Sequence, residues 1–183
     1  MIPDKLTLRA RIRAERDRFT SVGGSAILAP LEFGARLKPG SIVTSYIPVG
    51  SEADPAQLAA AALALGCRLA LPHVGDRASP MRFLLWQPGD PLVPGPLGLS
   101  QPAGQHEVTP DTILTPLIAF DARLNRLGQG AAFYDRAFAR YPGAWRVGVA
   151  WSVQQVPAVP TDIWDVPLHA VITEEGMLCH TEA

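Results

Sequence analysis

Helices alternating with short apolar runs predict an α/β fold: a single domain with a mostly parallel central sheet flanked by helices, led by an N-terminal basic helix. Three observations carry this. Residues 41–72 read as strand, helix and strand, with a helix long enough to cross over between parallel neighbours. Further apolar runs of strand length recur at 81–86, 111–120 and 145–151. A chain of 183 residues suits one compact domain with a full core, taken as spanning 1–183.

Asp4 can cap a first helix running to about Phe19. At about 100° per residue, Lys5, Arg9, Arg13 and Arg16 fall within one quadrant of it. Leu8, Ile12 and Phe19 form the adjoining apolar stripe. A second helix is expected from Ser25 to Leu37, stopped by Pro39 and Gly40. "SIVTSYIP" reads as a buried strand, "DPAQLAAAALALG" as an Ala/Leu helix closed by Gly66, and "CRLALP" as the next strand. "MRFLLW" reads as a strand, and the proline-rich stretch 87–104 as an ordered surface connection. "DTILTPLIAF" reads as one long strand, followed by a glycine loop and a helix from about Ala131 to Tyr141. The strands "WRVGVAW", "HAVIT" and "GMLC" complete the pattern.

Apolar residues make up 48% of the chain and charged residues 18%, which excludes a disordered chain. A net charge of −1 gives no general attraction to nucleic acid, so local charge must decide what binds. Cys67 and Cys179 have no CxxC partner and read as buried free thiols. No stretch reaches the roughly 20 apolar residues of a membrane span, and the N-terminal segment lacks the apolar run of a secretory signal. A cytoplasmic monomer acting on small molecules, without nucleic acid or membrane partners, is expected.

The stretch "LNRLGQGAAFYDRAFARYP" concentrates the chemistry. Its glycines let backbone N–H groups approach an anion, the following helix adds partial positive charge, and Arg126 supplies a forked cation suited to phosphate. By themselves the glycines fit a tight strand-to-helix turn equally well. A dinucleotide fingerprint fails on spacing, because its third glycine would fall at Phe133, and no Walker loop occurs.

"RLGQGAAFYDR" resembles the R-L-G-x-G-x-G-Y-Y-D signature of the 5-formyltetrahydrofolate cyclo-ligase family, whose members are also called 5,10-methenyltetrahydrofolate synthetases. Five further segments resemble that family in the same order: "KLTLR", "SYIPVGSEADP", "LALPHV", "GPLGLSQP" and "GVAWSVQQVPAVPTDIWDVPLHAVIT". The resemblance implies an enzyme that uses ATP and Mg²⁺ to close 5-formyltetrahydrofolate to 5,10-methenyltetrahydrofolate, releasing ADP and phosphate. By motif position it implies that Lys5 and Arg9 contact ATP phosphates, with Arg126, Leu127, Gly128, Gln129, Gly130, Ala131, Ala132, Phe133 and Tyr134 forming the nucleotide loop. Gln129 to Phe133 would also meet the folate, along with Ile47 and Glu52. Arg126 and Tyr134 take the catalytic positions, and Asp135 and Asp165 those of the metal ligands. Read alone, Lys5 and Arg9 would be a solvated helix face, Glu52 a loop carboxylate, and Asp135 a helix-start carboxylate set against the dipole.

Gln154 matches a family glutamine of undefined role, and His169 stands where the family often has Asp. His73, His106 and His180 show no clustered spacing and read as surface or structural residues. The sequence departs from the signature at Ala132, in place of the third loop glycine, and at Phe133, in place of the first tyrosine. If that position is left-handed, alanine costs about 1–2 kcal/mol. A working enzyme with weakened affinity is expected; the alternative is a paralogue that binds folate or nucleotide without turnover.

Overall fold

The structure is a computed structural model that describes residues 4–23, 25–76 and 78–179, the side chain of Leu97 excepted; His180 lies outside them. A seven-stranded sheet forms the centre, in the order β11-β10-β9-β6-β1-β2-β3. Its strands are β1 (Ile42–Thr44), β2 (Arg68–His73), β3 (Arg82–Leu85), β6 (Thr112–Pro116), β9 (Trp145–Val149), β10 (Ala170–Thr173) and β11 (Gly176–Cys179). The inner five pair in parallel, and β3 and β11 run antiparallel at the two edges. The predicted mostly parallel sheet is therefore present, closed at each edge by a hairpin partner.

Strand alternation divides the core into two layers. Ile42, Ala70, Ile113 and Val171 point into one cluster with Phe133 and Phe138 of α4 (Phe133–Arg140). Val43, Leu69, Leu114 and Ile172 point into the other, beneath α2 (Leu31–Arg36) and α3 (Ala56–Ala64). Phe33 of α2 is fully buried and stacks on Trp145 at 5.8 Å. Burial of such a side chain contributes about 2–3 kcal/mol.

Helix α1 (Lys5–Ser21) begins where Asp4 caps it, its Oδ1 accepting from the N–H groups of Leu6 and Thr7 at 2.9 Å. Leu8 and Ile12 bury against Ile118, Leu127 and Val156, and Phe19 leans on Trp151 at 5.6 Å. The predicted stripe thus anchors α1 across the carboxyl ends of the strands.

Four expectations need correction. The second helix does not start at Ser25; residues 25–30 are irregular, and Pro30 is the N-cap of a six-residue α2. Proline lacks the N–H an interior turn needs and pushes its predecessor to extended backbone. The proline-rich connection contains a hairpin, β4 (Leu92–Pro94) with β5 (Ser100–Pro102). The run 111–120 is two strands: β6 ends at Pro116, and β7 (Ala119–Phe120) leaves the sheet to pair with β8 (Arg126–Leu127). Asp121 holds that turn, accepting from Arg123 N, Asn125 N, Asn125 Nδ2 and Val159 N at 2.9–3.0 Å. Finally, Cys67 is buried but Cys179 is exposed, because β11 is an edge strand with one open side.

Candidate active site

A cavity of about 720 Å³ opens beyond the carboxyl ends of β1 and β6, within the range of small-molecule sites. Every site residue expected from the sequence lines it: Lys5, Arg9, Ile47, Glu52, residues 126–135 and Asp165. The β7–β8 hairpin carries the glycine loop there from the sheet.

The loop conformation explains its composition. A Cβ at Gly128 would lie 2.7 Å from Nη1 of Arg126, so glycine lets the loop close over that guanidinium without displacing it. Gly130 has φ +106°, and Ala132, the N-cap of α4, is left-handed at φ 54° and ψ 20°. The helix therefore starts at Phe133, two residues later than expected, because a left-handed residue cannot belong to it. Arg126 is buried beneath the loop over the rings of Tyr134 and Phe138, and its Nη2 donates to Asp135 Oδ1 at 2.8 Å.

Three arginines of α1 reach the same place. Arg9 Nε donates to Gly128 O at 2.8 Å, and Arg13 Nη2 donates to Gln129 Oε1 at 2.5 Å. Gln129 Nε2 in turn donates to Glu52 Oε1 at 3.0 Å, while Glu52 Oε2 accepts from Val49 N at 3.0 Å. Arg16 is 6% exposed and donates through Nε to Ser51 Oγ at 2.9 Å. Lys5 grips the far side, donating to Asp165 Oδ2 at 2.5 Å and Asp162 Oδ2 at 2.7 Å. Burial works against the Lys5 charge, but the hydrogen bonds and charges of Asp162 and Asp165 prevail and raise its pKa. Burial, helped by Glu52, pushes the Tyr134 phenol far above its ordinary value, so its hydroxyl stays a neutral donor.

The two proposed metal carboxylates share one design. Each is held by a cation through a single oxygen, Oδ1 of Asp135 by Arg126 and Oδ2 of Asp165 by Lys5. Among the described residues no cluster of three or more His, Cys, Asp or Glu forms a complete metal cage. A cation here would complete its shell with phosphate oxygens and water, which suits Mg²⁺.

Gln154 has a structural role. It is buried, its Nε2 donates to the carbonyls of Leu117 and Ile118 at 2.8 and 3.0 Å, and its Oε1 accepts from Trp151 N. It satisfies the backbone where β6 gives way to β7. His169 sits at the opposite end of the sheet, its Nδ1 accepting from Arg146 N at 3.0 Å. Arg13, Arg16, Ser51, Asp162 and Trp164 join the site without matching any of the motif positions. Only the basic stripe signalled the arginines; Asp162 and Trp164 precede Asp165 in "DIWD" and line the cavity with it. Among the described residues no helix is long and apolar enough to cross a membrane.

Comparison with known proteins agrees with this arrangement. Residues 2–174 match the model of the 5-formyltetrahydrofolate cyclo-ligase family. The chain is 33% identical over 139 residues to the 5-formyltetrahydrofolate cyclo-ligase of Escherichia coli K12, covering 72% of this chain and 76% of that one. It is 38% identical over 97 residues to the Haemophilus influenzae protein of the same name, a match spanning about half of each chain (49% and 52%). The NMR structure of Aquifex aeolicus 5,10-methenyltetrahydrofolate synthetase superposes with a TM-score of 0.73 at 26% identity, over 98% of this chain and 94% of that one.

Proposed function

The chain belongs to the 5-formyltetrahydrofolate cyclo-ligase family and is an enzyme of that kind; from this premise we propose how it works. It binds ATP and 5-formyltetrahydrofolate side by side, transfers the γ-phosphoryl group to the formyl oxygen, and lets N10 attack the activated carbon. N10 gives up its proton, the C–O bond breaks, phosphate leaves with the oxygen, and 5,10-methenyltetrahydrofolate and ADP remain. A formyl oxygen on N5 is an amide oxygen and a poor leaving group; phosphorylation removes that obstacle. Ring closure is intramolecular, so the protein need only hold the pterin and its side arm in the reacting pose.

The observation that best supports this reading is a single cavity lined by Lys5, Arg9, the glycine loop, two carboxylates and Glu52. Lys5 and Arg9 would face the phosphates, and loop N–H groups would surround the one in transit, where charge neutralisation governs the rate. Arg126 holds Asp135 in place, and Tyr134 offers a neutral hydroxyl to the reacting oxygens. Glu52 would accept paired hydrogen bonds from the pterin N–H groups, with Ile47 against the ring. Asp135 and Asp165 would hold Mg²⁺, which when bound adds positive charge beside the phosphates.

The test mixes the protein with 5-formyltetrahydrofolate and Mg-ATP and follows the near-ultraviolet band of the methenyl product. The band is expected to grow with ATP, stop on EDTA and resume with excess Mg²⁺. The left-handed Ala132 favours one rival, a protein that binds both ligands without turnover. Absence of the band with both ligands bound would establish that rival.

A further inference from the structure

Arg16 is a charged group of the cavity wall that this reading does not use. It lies on α1 three turns beyond Lys5, almost wholly buried. Nε is engaged by Ser51 Oγ, whose own hydroxyl donates to Asp17 Oδ1, but Nη1 is buried without a hydrogen-bond partner. An unmet donor on a buried cation is costly, and native structures seldom keep one without a use. Arg16 lines the cavity together with Ser51 and Glu52. Ser51, which Arg16 holds, is the chain neighbour of Glu52, so the guanidinium and the carboxylate share one stretch of the cavity wall, and the Glu52 charge opposes the depression of the Arg16 pKa by burial.

The inference rests on the reading above, which brings a pterin ring to Glu52. The hydrogen-bonding edge of that ring runs 2-amino, N3–H, 4-oxo: two donors and then an acceptor. Glu52 can serve the two donors. The acceptor needs a fixed donor beside that carboxylate, and Arg16 Nη1 is the unmet donor found there. We infer that Arg16 donates to the 4-oxo group of the pterin, which makes this site specific for 4-oxo over 4-amino pterins. A 4-amino ring has no N3–H and turns an amino donor toward the guanidinium, so Glu52 would lose one of its donors and Arg16 its acceptor.

The experiment measures KM for 5-formyltetrahydrofolate and for ATP, and inhibition by the 4-amino-4-deoxy analogue, in wild type, Arg16→Leu and Arg16→Lys. Arg16→Leu is expected to raise the folate KM by about tenfold or more, leaving the ATP KM unchanged. Wild type should reject the 4-amino analogue, Arg16→Leu should lose that preference, and Arg16→Lys should keep part of it. An unchanged folate KM overturns the inference. So does a joint rise of both KM values with a lower Tm, which would mark a purely structural residue. A 5-formyltetrahydropterin without the aminobenzoylglutamate tail has no N10 and is read by its Kd; if Arg16→Leu leaves that Kd unchanged, the contact lies on the tail and the inference is overturned. The wild-type arm separates the two levels: without product there, the parent reading fails, and the inference with it, whatever position 16 does.

Discussion

Ala132 and Leu124 are both left-handed, at φ 54° and 61°, and both carry the steric cost glycine would avoid. Their surroundings decide what relief would bring. Ala132 is exposed, so Ala132→Gly removes strain and little else. It should stabilise the protein by about 1 kcal/mol, raising Tm by about 2–4 °C, and tighten ligand binding at the loop. Leu124 is fully buried in the core, so Leu124→Gly relieves the same strain but leaves a cavity. Loss of a buried leucine costs about 2–5 kcal/mol, and the net change should be destabilising by about 2 kcal/mol. Urea unfolding of both variants checks the opposite signs. The strain at Ala132 was legible because the residue breaks a glycine pattern; Leu124 lies outside any pattern the sequence reading used. The partners of the acidic residues were also illegible. Asp135 and Asp165 stood out as isolated carboxylates, and only the folded chain brings Arg126 and Lys5 onto them.

Among the elements, α1 was readable almost completely: its cap, its apolar stripe and its basic quadrant all follow from spacing. The expected helix from Ser25 to Leu37 took its end from Pro39 and Gly40 and left Pro30 out of account, whose missing N–H decides the start. β7 was hidden inside the apolar run 111–120, since Ala119 and Phe120 are as buried off the sheet as β6 is within it. α1 also leads to a pH test, through its first residue. The pKa of Lys5 is raised above the ordinary 10.5, so its contribution to stability is complete below that value and is lost as pH rises through the folded one. Lys5→Met should therefore cost about 1 kcal/mol at neutral pH. The difference from wild type should shrink toward zero above pH 10.5. Chemical denaturation of both proteins from pH 7 to 11 reads that convergence; a gap that stayed constant would mean the ion pairs contribute nothing.

At the scale of the whole molecule, the sheet brings to one end three segments that are remote in sequence: residues 5–16, 126–135 and 162–165. Ligand binding should slow amide hydrogen exchange in all three together, and leave the His169 end of β10 unchanged. Protection confined to the glycine loop would contradict a shared cavity. The fold class was readable because strand periodicity is local, whereas the assembly of this end is not. Lys5 and Asp165 are 160 residues apart, yet they meet in the wall of one cavity. On a ribosome adding 5–20 residues per second, the first of them is made roughly ten to thirty seconds before the second. For most of that interval Leu8 and Ile12 lack the partners that cover them, because Ile118, Leu127 and Val156 are made only in its last third. A nascent chain of this protein thus carries a cationic, apolar-striped segment without its packing partners, and the cavity is complete only after synthesis has passed Asp165.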